Sequence, residues 1–261
     1  MFNIFKKKKQ SVNQTIRKPK TILCIPGNWD NRKEIVSTII ENNMNDFIFA
    51  GSILLNIKTN EGFELEICER DDRMKDSFKF AGMVNQVSNE FIEQIDKHKY
   101  VIYLSSETGD LNSVTEIAKA GNAILKSGGI GIKVETTGKA FTKDHWNELL
   151  SDFEESNLYQ MFVLDSISDG NGKTYTCGMH NLGLKDSIVY NEEFQASVNL
   201  LSIFGYYQLI DKPEINLGQT FSTDLESPIF EISQEKNQPN KGDKLFENPY
   251  GMWKLERKSS R

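Results

Sequence analysis

ILCIPGNWDNRKEI (Ile22–Ile35) and GIKVETTGKAFTKDHW (Gly131–Trp146) follow one plan: a short apolar run, a glycine turn, then a capped helix. In the first, TILCI reads as a buried strand, Pro26-Gly27 breaks it, and Asp30 is placed to cap a helix to about Asn42. Ile35, Val36, Ile39 and Ile40 then share one helical face.

Downstream, DFIFAGSILLNI and FELEICE read as two strands joined by the turn KTNEG, where Asn60 to Gly62 supply hairpin chemistry. Val84, Val87, Phe91 and Ile95 predict one long helix from about Asp72 to Lys97, and YVIYLS (Tyr100–Ser105) a further buried strand. Strand, helix, strand, strand, helix, strand is the split βαβ plan of ferredoxin-like folds.

The second half repeats that order. A linking helix from about Asn112 to Ser127, with Ser113 and Glu116 spaced as a capping box, leads to the strand GIGIKVE, broken at Gly138. Thr142 caps a helix bearing Trp146, Leu149, Leu150 and Phe153. LYQMFVLDSI and KTYTCGM predict a hairpin around SDGNGK, followed by a helix from about Glu192 to Gln208 and the strand PIFEIS. The expected fold is α+β, with two packed ferredoxin-like βαββαβ halves; one continuous mixed sheet is the alternative. The expected boundaries are a basic tail at 1–20, units at 21–106 and 107–238, and a loop with a docked tail at 239–261.

Across 261 residues the formal net charge is −6. The first twenty residues hold seven Lys or Arg and no acid, which leaves 24 basic residues against 37 acidic ones, so the body stands near −13. A body that acidic repels a phosphate backbone and argues against nucleic acid. A basic protein partner or a neutral ligand fits better. Phe2, Ile4 and Phe5 ahead of Lys6 to Lys9 allow weak peripheral membrane contact. A solubilising tail is the preferred reading. With no apolar stretch of spanning length and no leader pattern, a cytoplasmic protein is expected.

Chemistry-bearing residues are few. Cys24, Cys68 and Cys177 are widely spaced and odd in number, which predicts reduced thiols rather than a disulfide framework. Gly128, Gly129 and Gly131 follow a helix and precede a strand, the place of a helix C-cap rather than a dinucleotide loop. Thr136-Thr137-Gly138-Lys139 has the order of an anion-binding turn with a single glycine. Of three histidines, His98 reads as solvated and His145 sits in a first helical turn. Cys177 and His180 make two soft ligands where a zinc site needs three or four, so no metal and no cofactor is expected. A Cys177–His nucleophile pair is outweighed by Cys177 sharing a buried strand face with Tyr175. Gly178 and Gly183 would shape a bulge that turns His180 and Asn181 outward at a sheet rim.

GGIGIKVETTGKAFTKDHWNELL (Gly128–Leu150) and TYTCGMHNLGLKDSIVY (Thr174–Tyr190), followed by the helix from Glu192, resemble the bacterial family called domain of unknown function 4261, over roughly Tyr100 to Ile232. The resemblance implies a bacterial cytoplasmic protein and carries no activity, substrate or catalytic residue. The leading expectation is therefore a non-enzymatic interaction or immunity-type module that turns acids such as Glu69, Asp71, Asp72, Glu154 and Glu155 to a basic partner. The alternative is a hydrolase or transferase with a cleft between the two halves near His180. The binding candidates are His180, Asn181, Gly178, Gly183, Lys133, Glu135 and Lys139, with no residue singled out as catalytic.

Overall fold

The computed structural model describes residues 18–258. The segment Phe2–Lys9 and the last three residues lie outside the described residues. The fold is mixed α+β, built on two sheets. The first comprises β1 (Lys20–Gly27), β2 (Phe47–Ala50), β3 (Ile53–Asn56), β4 (Gly62–Glu69), β5 (Tyr100–Glu107), β6 (Gly131–Val134) and β7 (Lys139–Thr142), in the order β2-β3-β4-β5-β1-β6-β7. The second comprises β8 (Leu164–Ser168), β9 (Lys173–Cys177), β10 (Asp186–Tyr190), β11 (Thr220–Phe221), β12 (Phe230–Glu235) and β13 (Met252–Arg257), in the order β11-β12-β13-β10-β9-β8. Seven α-helices accompany them among the described residues: α1 (Arg32–Asn43), α2 (Met74–Ala81), α3 (Asn89–Asp96), α4 (Leu111–Lys126), α5 (Lys143–Ser151), α6 (Glu155–Phe162) and α7 (Phe194–Tyr206).

The sheet order departs from two ferredoxin-like halves and from one continuous sheet. A split βαβ unit needs a parallel strand pair joined through a crossover helix. Every pair in the first sheet is antiparallel, and β5 lies between β1 and β4. Strand β6, which was expected to open a second unit, instead pairs with β1 through Leu23↔Val134 and Cys24↔Lys133. The one parallel pair among the described strands, β10 with β13, lies in the second sheet and uses the last of those strands.

Pleating divides the first sheet into two faces. Leu23, Ile25, Phe63, Leu65, Ile102, Leu104, Ile132 and Val134 join a buried core with residues of α1 and α4. Helix α4 sits close because Gly121 carries no side chain: a Cβ there would meet Ile132 Cδ1 at 2.7 Å and Leu23 Cδ1 at 2.9 Å. Trp146, wholly buried, donates its indole N–H to the Ala118 carbonyl at 3.2 Å and fixes α5 against α4. On the opposite face Cys24 and Val101 pack under α2 and α3 with Phe78, Phe91, Ile92 and Ile95. Helix α7 covers the second sheet with Leu200, Leu201 and Phe204 against Val189, Ile232, Trp253 and Leu255.

Four local expectations change. DFIFAGSILLNI is a hairpin, β2–β3, turned by Gly51 at φ +68°. The long helix is two, because Gly82 ends α2 and the Ser88 hydroxyl caps α3 by accepting from Phe91 N–H. LYQMF belongs to α6 and not to a strand: Leu158, Tyr159, Met161 and Phe162 are all buried, the pattern of a helix face with no alternation. Caps shift by one to three residues, since Asn31 caps α1 and Asp110 caps α4, each accepting from the backbone N–H three residues on.

Candidate functional site

Alternation along four adjacent strands builds a concavity. Glu66 of β4 lies opposite Tyr103 of β5, Tyr103 opposite Cys24 of β1, and Cys24 opposite Lys133 of β6. A second row runs Glu64, Ser105 and Ile22. These rows face away from the α4 side and form the floor of a cleft of about 1000 Å³. Met74 and Ser77 of α2 wall one side, Asp71 and Arg73 stand before that helix, and Leu245 reaches in from the C-terminal loop.

His98 fixes the entrance. It is buried, and its Nδ1–H donates to the Ile95 carbonyl at 2.7 Å, which leaves Nε2 to accept from the Asp71 backbone N–H at 3.1 Å. The expected solvated histidine is thus a brace between α3 and the segment carrying Asp71 and Arg73. Burial pushes its pKa down and keeps it in the neutral form this pattern requires.

Ion pairs consume most of the cleft's charge. Lys20 pairs with Glu64, Arg73 with Asp71 at 2.8 Å, and Lys133 with Glu135 at 2.9 Å. The Lys133 ammonium also donates to the Ser77 hydroxyl. The Arg73 guanidinium holds Asp71 at about 2. Glu66 is the one lining carboxylate with no ion-pair partner among the described residues, and it is exposed. Below it, burial and the neighbouring Glu135 raise the Cys24 thiol well above its ordinary range, and burial raises Tyr103 likewise. The floor therefore offers the Tyr103 phenol in its protonated form, with Cys24 buried beneath it, and Glu66 is exposed above.

The candidates from the sequence do not converge. Lys133 and Glu135 line the large cleft. Lys139 lies elsewhere, beside a small cavity with His145, Tyr159 and Asp165. Its ammonium donates to the Gln160 carbonyl and, at 2.9 Å, to that of Val163, closing the end of α6 as a C-terminal cation should. Burial pushes it down to about 8. The turn before it presents no free amides at Thr137 and Gly138, because both N–H groups donate to the Val134 carbonyl.

Gly178 and Gly183, with φ of +116° and +79°, bracket a turn of 3-10 helix, Met179–Leu182, that is wholly buried. His180 and Asn181 consequently point inward, contrary to the expected rim. Asn181 is a clasp: its Oδ1 accepts from Thr21 at 2.6 Å and Thr136 at 3.1 Å, and its carbonyl accepts from Gly109 N–H at 3.0 Å. His180 is 2% exposed, has no partner on either ring nitrogen among the described residues, and borders a second pocket. Cys177 is a buried thiol raised by burial, in line with the inert reading, although Thr174 and Thr176 rather than Tyr175 form the more buried face of β9.

Sequence reading missed Asp186. It is buried and accepts from Asn248 Nδ2 at 2.7 Å, Thr176 Oγ1 at 3.0 Å and Met179 N–H at 3.2 Å. No local pattern marks it, since Asn248 is supplied from 62 residues away. Burial, partly offset by these donors, pushes it up to about 7, and burial holds His180 at about 4.

The two act on stability with opposite sign. An Asp with a raised pKa favours the fold most in acid, and that contribution is lost as pH rises from about 4 to about 7. A His with a lowered pKa contributes fully above about 6.5, and its contribution is lost as pH falls toward 4. Replacing His180 by Leu removes only the second. Urea unfolding at several pH values between 6.5 and 4.5 is expected to show the variant gaining on the parent by about 1.4 kcal/mol per pH unit of acidification. Parallel profiles would rule out a neutral buried imidazole.

Fold and cleft define an α+β protein of two sheets with an ionic cleft on one sheet face. Compared with known families, curated proteins and solved structures, the chain matches no family model, no curated protein and no solved structure. Among the described residues no helix is long and apolar enough to cross a membrane, and no three His, Cys, Asp or Glu side chains converge as metal ligands.

Proposed function

We propose that this chain is an interaction protein, of the immunity type or a similar kind, that receives a basic side chain or segment of a partner protein in the cleft over β4, β5, β1 and β6. The observation that carries it is Glu66, a carboxylate exposed in a cleft whose three cations are each already paired. The acidic body supports the same reading by steering a basic partner toward the molecule. Exposed Ile48 and Ile53 flank the carboxylates at the β2–β3 end of the sheet and supply apolar contact area next to the charge. A bacterial, cytoplasmic setting and membership of the domain-of-unknown-function family belong to the same proposal, resting on the motifs Gly128–Leu150 and Thr174–Tyr190.

A photo-crosslinking residue at Ile53 tests it in the native cell. The expected product is one dominant adduct with a basic protein. The same residue at Leu225, on the exposed loop after β11, is expected to give no such adduct. Equal labelling from both positions would contradict the reading.

The buried Cys177 thiol and the unpartnered His180 imidazole give the hydrolase or transferase alternative no nucleophile poised at a base, and Lys139 is committed to α6.

A further inference from the structure

The large cleft and the first residues of the chain complement one another. Of the four carboxylates lining the cleft, Glu64, Asp71 and Glu135 are taken by Lys20, Arg73 and Lys133, and Glu66 is left with no ion-pair partner among the described residues. Exposed Ile53 and half-buried Ile22 line the same cleft. The sequence MFNIFKKKK (Met1–Lys9) carries the matching features, with Phe2, Ile4 and Phe5 followed at once by four lysines. Residues 1–20 hold no acid that would neutralise those lysines from within.

Position is the second, independent observation. Lys20 opens β1 and itself lines the cleft, with its ammonium on Glu64. Glu66 lies two residues farther along β4, about 7 Å away. Lys9 precedes Lys20 by eleven residues, a tether that spans at most about 40 Å. The basic run is therefore joined to the chain within reach of the one lining carboxylate that lacks a cation. A tether of this length holds its end at an effective concentration on the order of 1 mM.

We infer that the cleft over β4, β5, β1 and β6 is occupied by the chain's own segment Phe2–Lys9, with a lysine of that run on Glu66, until a basic partner displaces it. The inference rests on the reading that this cleft receives basic segments, and it adds regulation to that site. The segment competes for Glu66 and sets a threshold of affinity that a partner has to exceed.

The test is a photo-crosslinking residue at Ile53 in the purified full chain with no other protein present. Cleavage at glutamates then leaves residues 1–34 as one peptide. The expected adduct joins that peptide, at a residue between 2 and 9, to the peptide bearing position 53. A mixture of ordinary and ¹⁵N-labelled chains is expected to give adducts within single chains, and mixed-label adducts in statistical proportion would overturn the assignment to the same chain. Replacing Lys6 to Lys9 together by Gln leaves every described residue untouched and is expected to lower the yield at least about fivefold, as is Glu66→Gln. The crosslinking residue at Leu225 is expected to give no such adduct. No adduct from position 53, or an equal yield in the lysine variant, would overturn the inference. Because no partner is present, this result is separate from the proposed function: a partner adduct in the cell without the internal one sinks only the internal contact. With the partner in hand, the lysine variant is expected to bind it at least about threefold more tightly than the parent, and unchanged affinity would contradict competition.

Discussion

Gly178→Ala is expected to cost about 3–5 kcal/mol of stability, read as a fall in the urea midpoint at constant slope. Two effects add. Gly178 stands at φ +116°, where a side chain is strained by about 1–2 kcal/mol. A Cβ there would also lie 2.0 Å from the Phe162 carbonyl oxygen and 2.2 Å from Thr137 Cγ2, so α6 or the β6–β7 turn has to move. Gly138 separates the two contributions: its φ is +75°, yet a Cβ would meet nothing within 4 Å. Gly138→Ala is therefore expected to cost only about 1 kcal/mol, the strain alone. Equal losses at the two positions would mean that the buried turn does not bear on α6.

Those glycines show what could be read from the chain and what could not. That Gly178 and Gly183 need a special backbone was legible, because a glycine at the end of a strand pattern, and another just before the next apolar run, mark a bulge or turn. The direction of the turn was not. Whether His180 and Asn181 face water or the interior depends on Thr21, Gly109 and Thr136, which lie far off in sequence and meet Asn181 only in the fold. The strand at Thr21, the Thr142 cap and the SDGNGK hairpin rest on neighbours within a few residues, and the structure contains each of them. Strand pairing is long-range, and β6 chose β1 over a sheet of its own.

The cleft was half legible for the same reason. Lys133 and Glu135 stood out by residue type and alternation, and they do line it. Glu66, Tyr103 and Arg73 gave no signal, since only the register of β4, β5 and β1 puts the first two in one row. His98 was misjudged because flanking lysines suggested solvent, while its partners, the Ile95 carbonyl and the Asp71 amide, are backbone groups without a signature in sequence.

The second large effect concerns binding. Glu66→Lys reverses the one unpaired carboxylate of the cleft and places a fourth cation there. Charge of this kind acts on encounter rate and on specificity, and like-charge juxtaposition rejects a partner strongly. With the partner captured through Ile53 and purified, the affinity of the variant is expected to fall at least about thirtyfold. The parent's association rate is expected to drop steeply as salt rises, and the variant's to drop less. Glu226→Lys makes the same change in charge on an exposed loop joined to the second sheet, and it is expected to move affinity less than about threefold.

The direct measurement is therefore the dissociation constant of that complex for the parent, Glu66→Lys and Glu226→Lys at one ionic strength. Loss confined to Glu66→Lys is the result that a cleft built to take a basic group predicts. Equal affinity in all three proteins, or equal loss in the two variants, would contradict it.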